Sequence, residues 1–371
     1  MNNTGVISMG VRCPIIRQGD NLVDIVIENV KKTLEENNMP LEDKDVIGIT
    51  ESVVARAQGN YVTIDDIVQF MTEHNFKKKL ALHSPIMSRN RFSMILKAFA
   101  RYADEIAIIP YDFYDEVGNP IGVNPFTGVN VPAYYEELAK SENCHLYFDV
   151  GRVTGPYRYY FENEYTNINC KCHPNDKDDV KFTLAQVMNE PVTRADGSAS
   201  GFNTDWGLLG SNKANEETLK LFPQKDKAQA LVDSIQEYYK NAYGKDVHVL
   251  VFGDGCFKSP EVDGVSIWEF ADPVTCPAYT HGIEGTPNEI KLKAFADDKF
   301  KDLSGEELEK AIKNEISTHR HEDLVGNMTS QGTTPRQVTD LLASLSDLTT
   351  ASGDKGTPVT LIKNYFNKYC D

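Results

Sequence analysis

The stretch VHVLVFGDG, residues 247–255, decides how the rest of the chain is read. Val247 to Phe252 are apolar apart from His248, and valine recurs at every second position. Such a run reads as a clean strand. Gly253, Asp254 and Gly255 end it at once. In open α/β sheets, ligands bind beyond the carboxyl ends of strands. A carboxylate there, with free backbone around it, suits a hard cation such as Mg2+ or Mn2+. A plain strand-to-turn aspartate is the simpler reading of Asp254 taken alone.

Working outward, residues 215–243 before this strand read as a helix. After it, Ser304 and Glu307 form a capping box before EELEKAIKNEI. Val338, Leu341, Leu342, Leu345 and Leu348 stripe a last helix opened by Pro335, and TPVTLIK (357–363) closes with a strand. At the other end, 5–16 reads as a strand and Gly19–Asp20 as a turn. Leu22, Val26, Val30 and Leu34 then mark a helix ended by Asn37, Asn38 and Pro40. Residues 45–62 read as a strand, an irregular turn and a Gly59–Asn60 turn. A helix over 91–103 and a strand over 105–112 follow. Strands and helices are interspersed, so the expected class is α+β, a mixed α/β fold. Residues 111–200 are rich in Gly, Pro, Asn and Tyr, with YRYYFENEY (157–165) as one exposed strand. The expected division is an α/β lobe over 1–110, an irregular insertion over 111–200 and a second α/β lobe over 201–371.

The 371 residues carry 38 Lys and Arg against 55 Asp and Glu, a formal charge of −17. That balance argues against nucleic acid, whose affinity for protein is mostly cation–phosphate contact, and against an anionic membrane surface. No run reaches the ~20 apolar residues of a membrane helix. The seven cysteines are an odd number, scattered through the chain. Reduced thiols fit better than a disulfide framework, so a cytoplasmic protein is expected. Walker, G-x-G-x-x-G, G-x-S-x-G and H-E-x-x-H motifs are absent. Cys170–Lys171–Cys172–His173 alone reads as a polar loop rather than zinc, and His319–Arg320–His321 as a solvated helix end.

Four further segments carry candidate chemistry. GFNTDWGLLGSN (201–212) puts Asp205 in a Gly-rich loop with Asn203, Ser211 and Asn212. Its backbone N–H groups can face an anion while the carboxylate holds a metal. CPIIRQGDNL (13–22) leads Arg17 into a helix N-terminus. TESVVARAQGN (50–60) sets Arg56 among apolar residues, and TTASGDKGTPV (349–359) offers small residues that let a ligand approach. Each also has an ordinary reading, as a surface turn, a salt-bridge partner or a helix-exit loop.

The ordered set resembles the coenzyme F-420 gamma-glutamyl ligases, the CofE family. CPIIRQGDNLVDIV is similar to that family's Pro-Leu-Ile-Lys stretch followed by Gly-Asp-Asp-Leu, with Arg17 in place of Lys. Ala55–Arg56–Ala57–Gln58–Gly59 resembles its Ser-Lys-Ala-Glu-Gly motif. GFNTDWGLLGSN resembles its Asn-Ala-Gly-x-Asp-x-Ser-Asn loop, Asp254–Gly255 its strand-ending Asp-Ser or Asp-Thr, and Gly356–Thr357–Pro358–Val359 its late Gly-x-Pro-Val. The likeness implies a two-lobed fold with mixed sheets, here carrying an inserted subdomain. It implies a GTP-dependent ligase using Mn2+ or Mg2+, with K+ a further candidate, that adds L-glutamate to a small-molecule carboxylate acceptor. The acceptor would be an F-420 precursor; a folate is the alternative. It implies Asp205 and Asp254 as metal ligands. Pro14, Ile15, Ile16, Arg17, Arg56, Asn212, Thr350, Ser352, Gly353 and Asp354 would meet the nucleotide, with Lys258 a further cation. A homodimer is also implied. Gly255 and Ser352 depart from the family pattern and leave a second metal site open. They also keep in view a diverged nucleotide- or metabolite-binding protein, with a metal-dependent phosphohydrolase as a third reading.

Overall fold

The structure, a computed structural model, describes residues 4–85, 87, 90–110, 120, 122–149, 164–170, 182–254, 261–262, 265–266, 274–285, 292–318, 337–350 and 353–367. Its architecture is mixed α/β, and the described residues form two main sheets, a small three-stranded one and a two-stranded hairpin of β11 (Glu261–Val262) and β12 (Val265–Ser266).

The first sheet has the order β1-β14-β2-β10-β13. Its strands are β1 (Ile7–Val11), β2 (Val46–Thr50), β10 (His248–Asp254), β13 (Val274–Tyr279) and β14 (Val359–Lys363). Only β2 and β10 run parallel; β1, β14 and β13 pair antiparallel to their neighbours. Helices α1 (Leu22–Glu36) and α6 (Lys225–Tyr243) cover one face, packing Val26, Val30 and Ile235 on Ile47, Val249 and Leu361. Among the described residues α7 (Leu292–Ala294) and α8 (Gly305–Thr318) precede a further helix, α9 (Val338–Thr350), which covers the other face through Leu342 and Ala343 on Val46, Leu250 and Ile362. Burial on both faces is why the central strands are apolar without alternation.

The second sheet, β6-β5-β4-β7, is parallel throughout. It uses β4 (Lys79–His83), β5 (Glu105–Ile109), β6 (His145–Phe148) and β7 (Thr166–Asn169). Its Leu80, Leu82, Ile106, Ile108 and Ile168 pack with α3 (Ile64–Glu73), α4 (Asn90–Tyr102) and α5 (Val131–Ser141). The small antiparallel sheet β3-β9-β8 joins Tyr61–Thr63, Thr218–Leu221 and Ser211–Lys213.

Several local expectations change. Residues 45–62 hold three elements: β2, the helix α2 (Glu51–Gln58) and β3. Gly59, at φ 68, ends α2 in the left-handed conformation, where a Cβ would also strike the Gln18 side chain at 2.4 Å. The helix expected over 215–243 starts at Lys225, because 218–221 form β9 and Pro223 separates the two. The stretch 111–200, read as irregular, contains α5, β6 and β7. The strand proposed over 157–165 lies almost wholly outside the described residues, as do 171–173 of the Cys-Lys-Cys-His cluster and 319–321. Among the described residues no helix is long and apolar enough to cross a membrane.

Segment 182–200 is tied to α3 by a charge pair. Arg194 donates from Nε to Asp66 Oδ1 at 2.8 Å and from a terminal nitrogen to Oδ2 at 2.7 Å. Burial pushes the Asp66 carboxyl up, but the guanidinium and the Thr63 donors outweigh it, so its pKa lies below the ordinary value. A depressed carboxyl stabilises the fold above its unfolded pKa of about 3.9 and loses that contribution as pH falls through the lower folded value. Arg194→Gln is expected to cost about 2 kcal/mol at neutral pH. In urea denaturation the gap to wild type narrows as pH falls through the lowered folded pKa of Asp66; a gap independent of pH contradicts the assignment.

Candidate functional site

Strand register places four of the sequence-derived segments at one edge of the first sheet. Val11 at the end of β1 pairs with Val359 at the start of β14, which pairs with Ile49 near the end of β2. Thr50 pairs with Phe252 near the end of β10, and Asp254 pairs with Val274 at the start of β13. The segments 12–21, 51–59 and 353–358 and the end of β10 at Asp254 therefore all lie on the same side of the sheet. Backbone hydrogen bonds hold them together. Cys13 N–H donates to Gly356 O at 3.1 Å, Gly19 N–H to Ala57 O at 2.9 Å, and Thr50 N–H to Pro358 O at 2.9 Å.

The loop 201–212 is brought to this edge by asparagines. Asn60 is 3% exposed. Its amide donates to Phe202 O at 2.9 Å and Phe222 O at 2.7 Å, and its oxygen accepts from Phe202 N–H at 3.0 Å. Asn203 shapes the turn itself, accepting from the N–H groups of Asp205 at 3.1 Å and Trp206 at 2.8 Å. Asp205 is half-buried on that turn. Asn212, on β8, donates from its amide to Glu51 Oε1 at 2.9 Å.

Glu51 is the site residue the sequence reading missed. It opens α2 directly after β2, where a carboxylate complements the helix N-terminus. It is 3% exposed. A Cβ added at Gly253 would lie 2.2 Å from Glu51 Cγ, so the end of β10 presses on this side chain and needs glycine there. Reading 51–58 as an irregular turn hid it; an acidic residue in the first turn after an apolar strand was the available signal. Lys220 was missed too. From β9 it donates to Ser52 Oγ, setting a half-buried cation beside the first turn of α2.

The remaining candidates fall as follows. Pro14, Ile15 and Arg17 are exposed, while Ile16 is buried against the α1 side of the sheet. Arg17 N–H donates to Asp20 Oδ2 at 2.6 Å, closing the turn before α1. Arg56 is exposed on the last turn of α2. Thr350 ends α9 with its hydroxyl bonded to Asp347 O, and Gly353 and Asp354 begin a short turn, Asp354 exposed. Ser352, Gly255, Lys258 and the Asp254 side chain lie outside the described residues. Burial pushes the Cys13 thiol up to about 11, so it is a protonated neighbour of the edge and no nucleophile. Among the described residues no cluster of three or more His, Cys, Asp or Glu forms.

The chain matches the family model F420-0:Gamma-glutamyl ligase over residues 10–364. The chain belongs to that family. A search of curated proteins gives no match. Family membership supports an enzyme with gamma-glutamyl ligase-type chemistry on small molecules. The match spans 111–200 as well, so the parallel sheet lies within the matched region.

Glu51→Ala is expected to leave the Asn212 amide without its partner and to lower stability by about 2 kcal/mol in chemical denaturation. Glu51→Gln retains an acceptor oxygen and restores most of it. Equal losses in the two variants would show that the charge, rather than the contact to Asn212, matters at this position.

Proposed function

We propose that the chain is a GTP- and divalent-metal-dependent ligase that joins the amino group of L-glutamate to a carboxylate acceptor, with a coenzyme F-420 precursor as the acceptor. The observation that supports this most is the convergence of segments 12–21, 51–59, 201–212, 353–358 and the end of β10 at one sheet edge.

A carboxylate and an amine do not condense usefully in water, because the carboxylate oxygen is a poor leaving group. In the proposed route the γ-phosphoryl group passes from GTP to an oxygen of the acceptor carboxylate, and GDP departs. The glutamate amine then attacks the acyl carbon, the carbon–oxygen bond breaks, and inorganic phosphate leaves. Catalysis of this kind is mostly positioning and charge neutralisation.

The chain's own groups supply both. Arg17 and Arg56 are exposed cations along the edge, and Lys220 is a half-buried one. The Glu51 contact fixes the Asn212 amide for the nucleotide. Asn203 orders the turn that carries Asp205. Mg2+ and Mn2+ are commonly held by one or two carboxylates, with phosphate oxygens and water completing the shell. Asp205 and Asp254 fit that donor chemistry. When bound, the ion draws charge from the phosphate oxygens. A homodimer belongs to the same reading.

Asp254→Asn tests the metal assignment, since an amide is a weaker ligand for a hard cation than a carboxylate. Glutamate ligation, followed by mass spectrometry of the acceptor, is expected to fall at least a hundredfold, with the thermal unfolding of the ligand-free protein little changed. Wild-type turnover in the variant would remove Asp254 from the metal site.

A further inference from the structure

We propose that a pocket between the C-terminal ends of α1 and α6 binds a flat aromatic carboxylate, at a site remote from the nucleotide edge. The pocket has a volume of about 490 Å³, within the usual ~300–1,000 Å³ of small-molecule sites. Its lining is largely apolar: Leu34 and Tyr239 are buried, Met39 and Leu41 half-buried. Tyr243 lines it too, 44% exposed, its ring centre 5.9 Å from that of Tyr239. An aromatic ring left half in water beside an apolar lining is a face that a second ring can cover. Lys31 and Lys245 stand in the lining against one carboxylate, Glu35. Lys31 lies 3.9 Å from Glu35, and Lys245 3.6 Å from Asp43. Both contacts are long and open to water, so they hold the ammonium groups weakly. A ligand carboxylate can replace them, whereas a cationic ring would meet both ammonium groups.

The lining is held in place by backbone contacts. Asn38, at φ 52, turns the chain out of α1, and Met39 N–H donates to Leu34 O at 3.0 Å. Lys44 N–H donates to Asp246 O at 2.7 Å and Asp246 N–H to Asp43 Oδ1 at 2.8 Å, tying the turn after α1 to the turn after α6. The pocket lies at the opposite end of the first sheet from the nucleotide edge. β2 starts at Val46 and β10 at His248, just beyond these turns, and both run in parallel towards that edge. Leu22 opens α1 directly after segment 12–21, and Leu34 lies about 18 Å further along the helix axis at ~1.5 Å per residue. A ligand here is therefore neither the nucleotide nor the carboxylate that would receive its phosphoryl group.

Calorimetry on the full chain, with 2-naphthoate and its neutral amide 2-naphthamide as probes, tests the proposal. 2-Naphthoate should bind wild type, and 2-naphthamide at least fivefold more weakly. Tyr243→Ala should weaken 2-naphthoate binding at least fivefold. Lys31→Gln combined with Lys245→Gln should bring 2-naphthoate down to the affinity of the amide. These three side chains are exposed or half-buried, so the ligand-free Tm should stay near that of wild type in both variants. No binding of 2-naphthoate, equal affinity for the amide, undiminished binding in Tyr243→Ala, or displacement of 2-naphthoate by GTP–Mn2+ would overturn the pocket. Tyr243-dependent binding of 2-naphthoate in a protein that ligates no glutamate would instead overturn the ligase reading alone.

Discussion

The Asn60 side chain is the joint on which the site's geometry depends. It sits where α2 ends and β3 begins, out of water, and makes three hydrogen bonds to backbone 142 to 162 residues away. Those bonds fix the start of the 201–212 loop and the end of β9 against the exit of α2. From there β8 is delivered to the first turn of α2, and Asn212 reaches Glu51. A buried amide left without these partners carries the full desolvation cost of each group. No apolar residue can replace this joint, because the groups it satisfies are main-chain N–H and C=O.

The first sheet supplies the second constraint. Its strand β14 lies between the edge strand β1 and β2, so the first and last of these strands along the chain are paired at one side of the sheet. Lys363 on β14 reinforces this with a buried ion pair to Asp45 at 2.6 Å. The late segment 353–358 is thereby placed beside the early one at 13–20. The second sheet leans on this arrangement through Arg91, which from the start of α4 reaches Ser211 O on β8. Residues 211 and 212 thus touch both halves of the molecule. Membership of the family supports gamma-glutamyl ligase-type chemistry; the interactions of Glu51 and Lys220 give this edge its local structure.

Much of this was legible in the sequence. The apolar run at 247–252 and the four-residue spacing in α1 located two elements, because both are buried by simple periodic faces, although β10 runs on through Gly253 and Asp254, which pair with β13 and were read as ending it. The order of the short motifs identified the family. What stayed hidden depended on distance or brevity. Helix α2 has only eight residues, with the exposed Arg56 near its end, so it passed as a turn. β7 reads TNIN, whose asparagines carry no strand signal, yet it pairs with β4. Strands of three residues, such as β3 and β8, exist only through their partners. The partner of Glu51, Asn212, lies 161 residues away, so their contact carried no local sequence signal.

In the proposed ligase, nucleotide and divalent ion bind together at one edge. The most direct measurement is the thermal unfolding of the full chain with GTP, with Mn2+, and with both, since a ligand that binds only the folded state raises Tm. The account predicts a clear rise in Tm with both present and little with either alone, because the carboxylates and the phosphates each complete the other's shell. An equal rise with GTP in the presence of a chelator, or none under any condition, would contradict it.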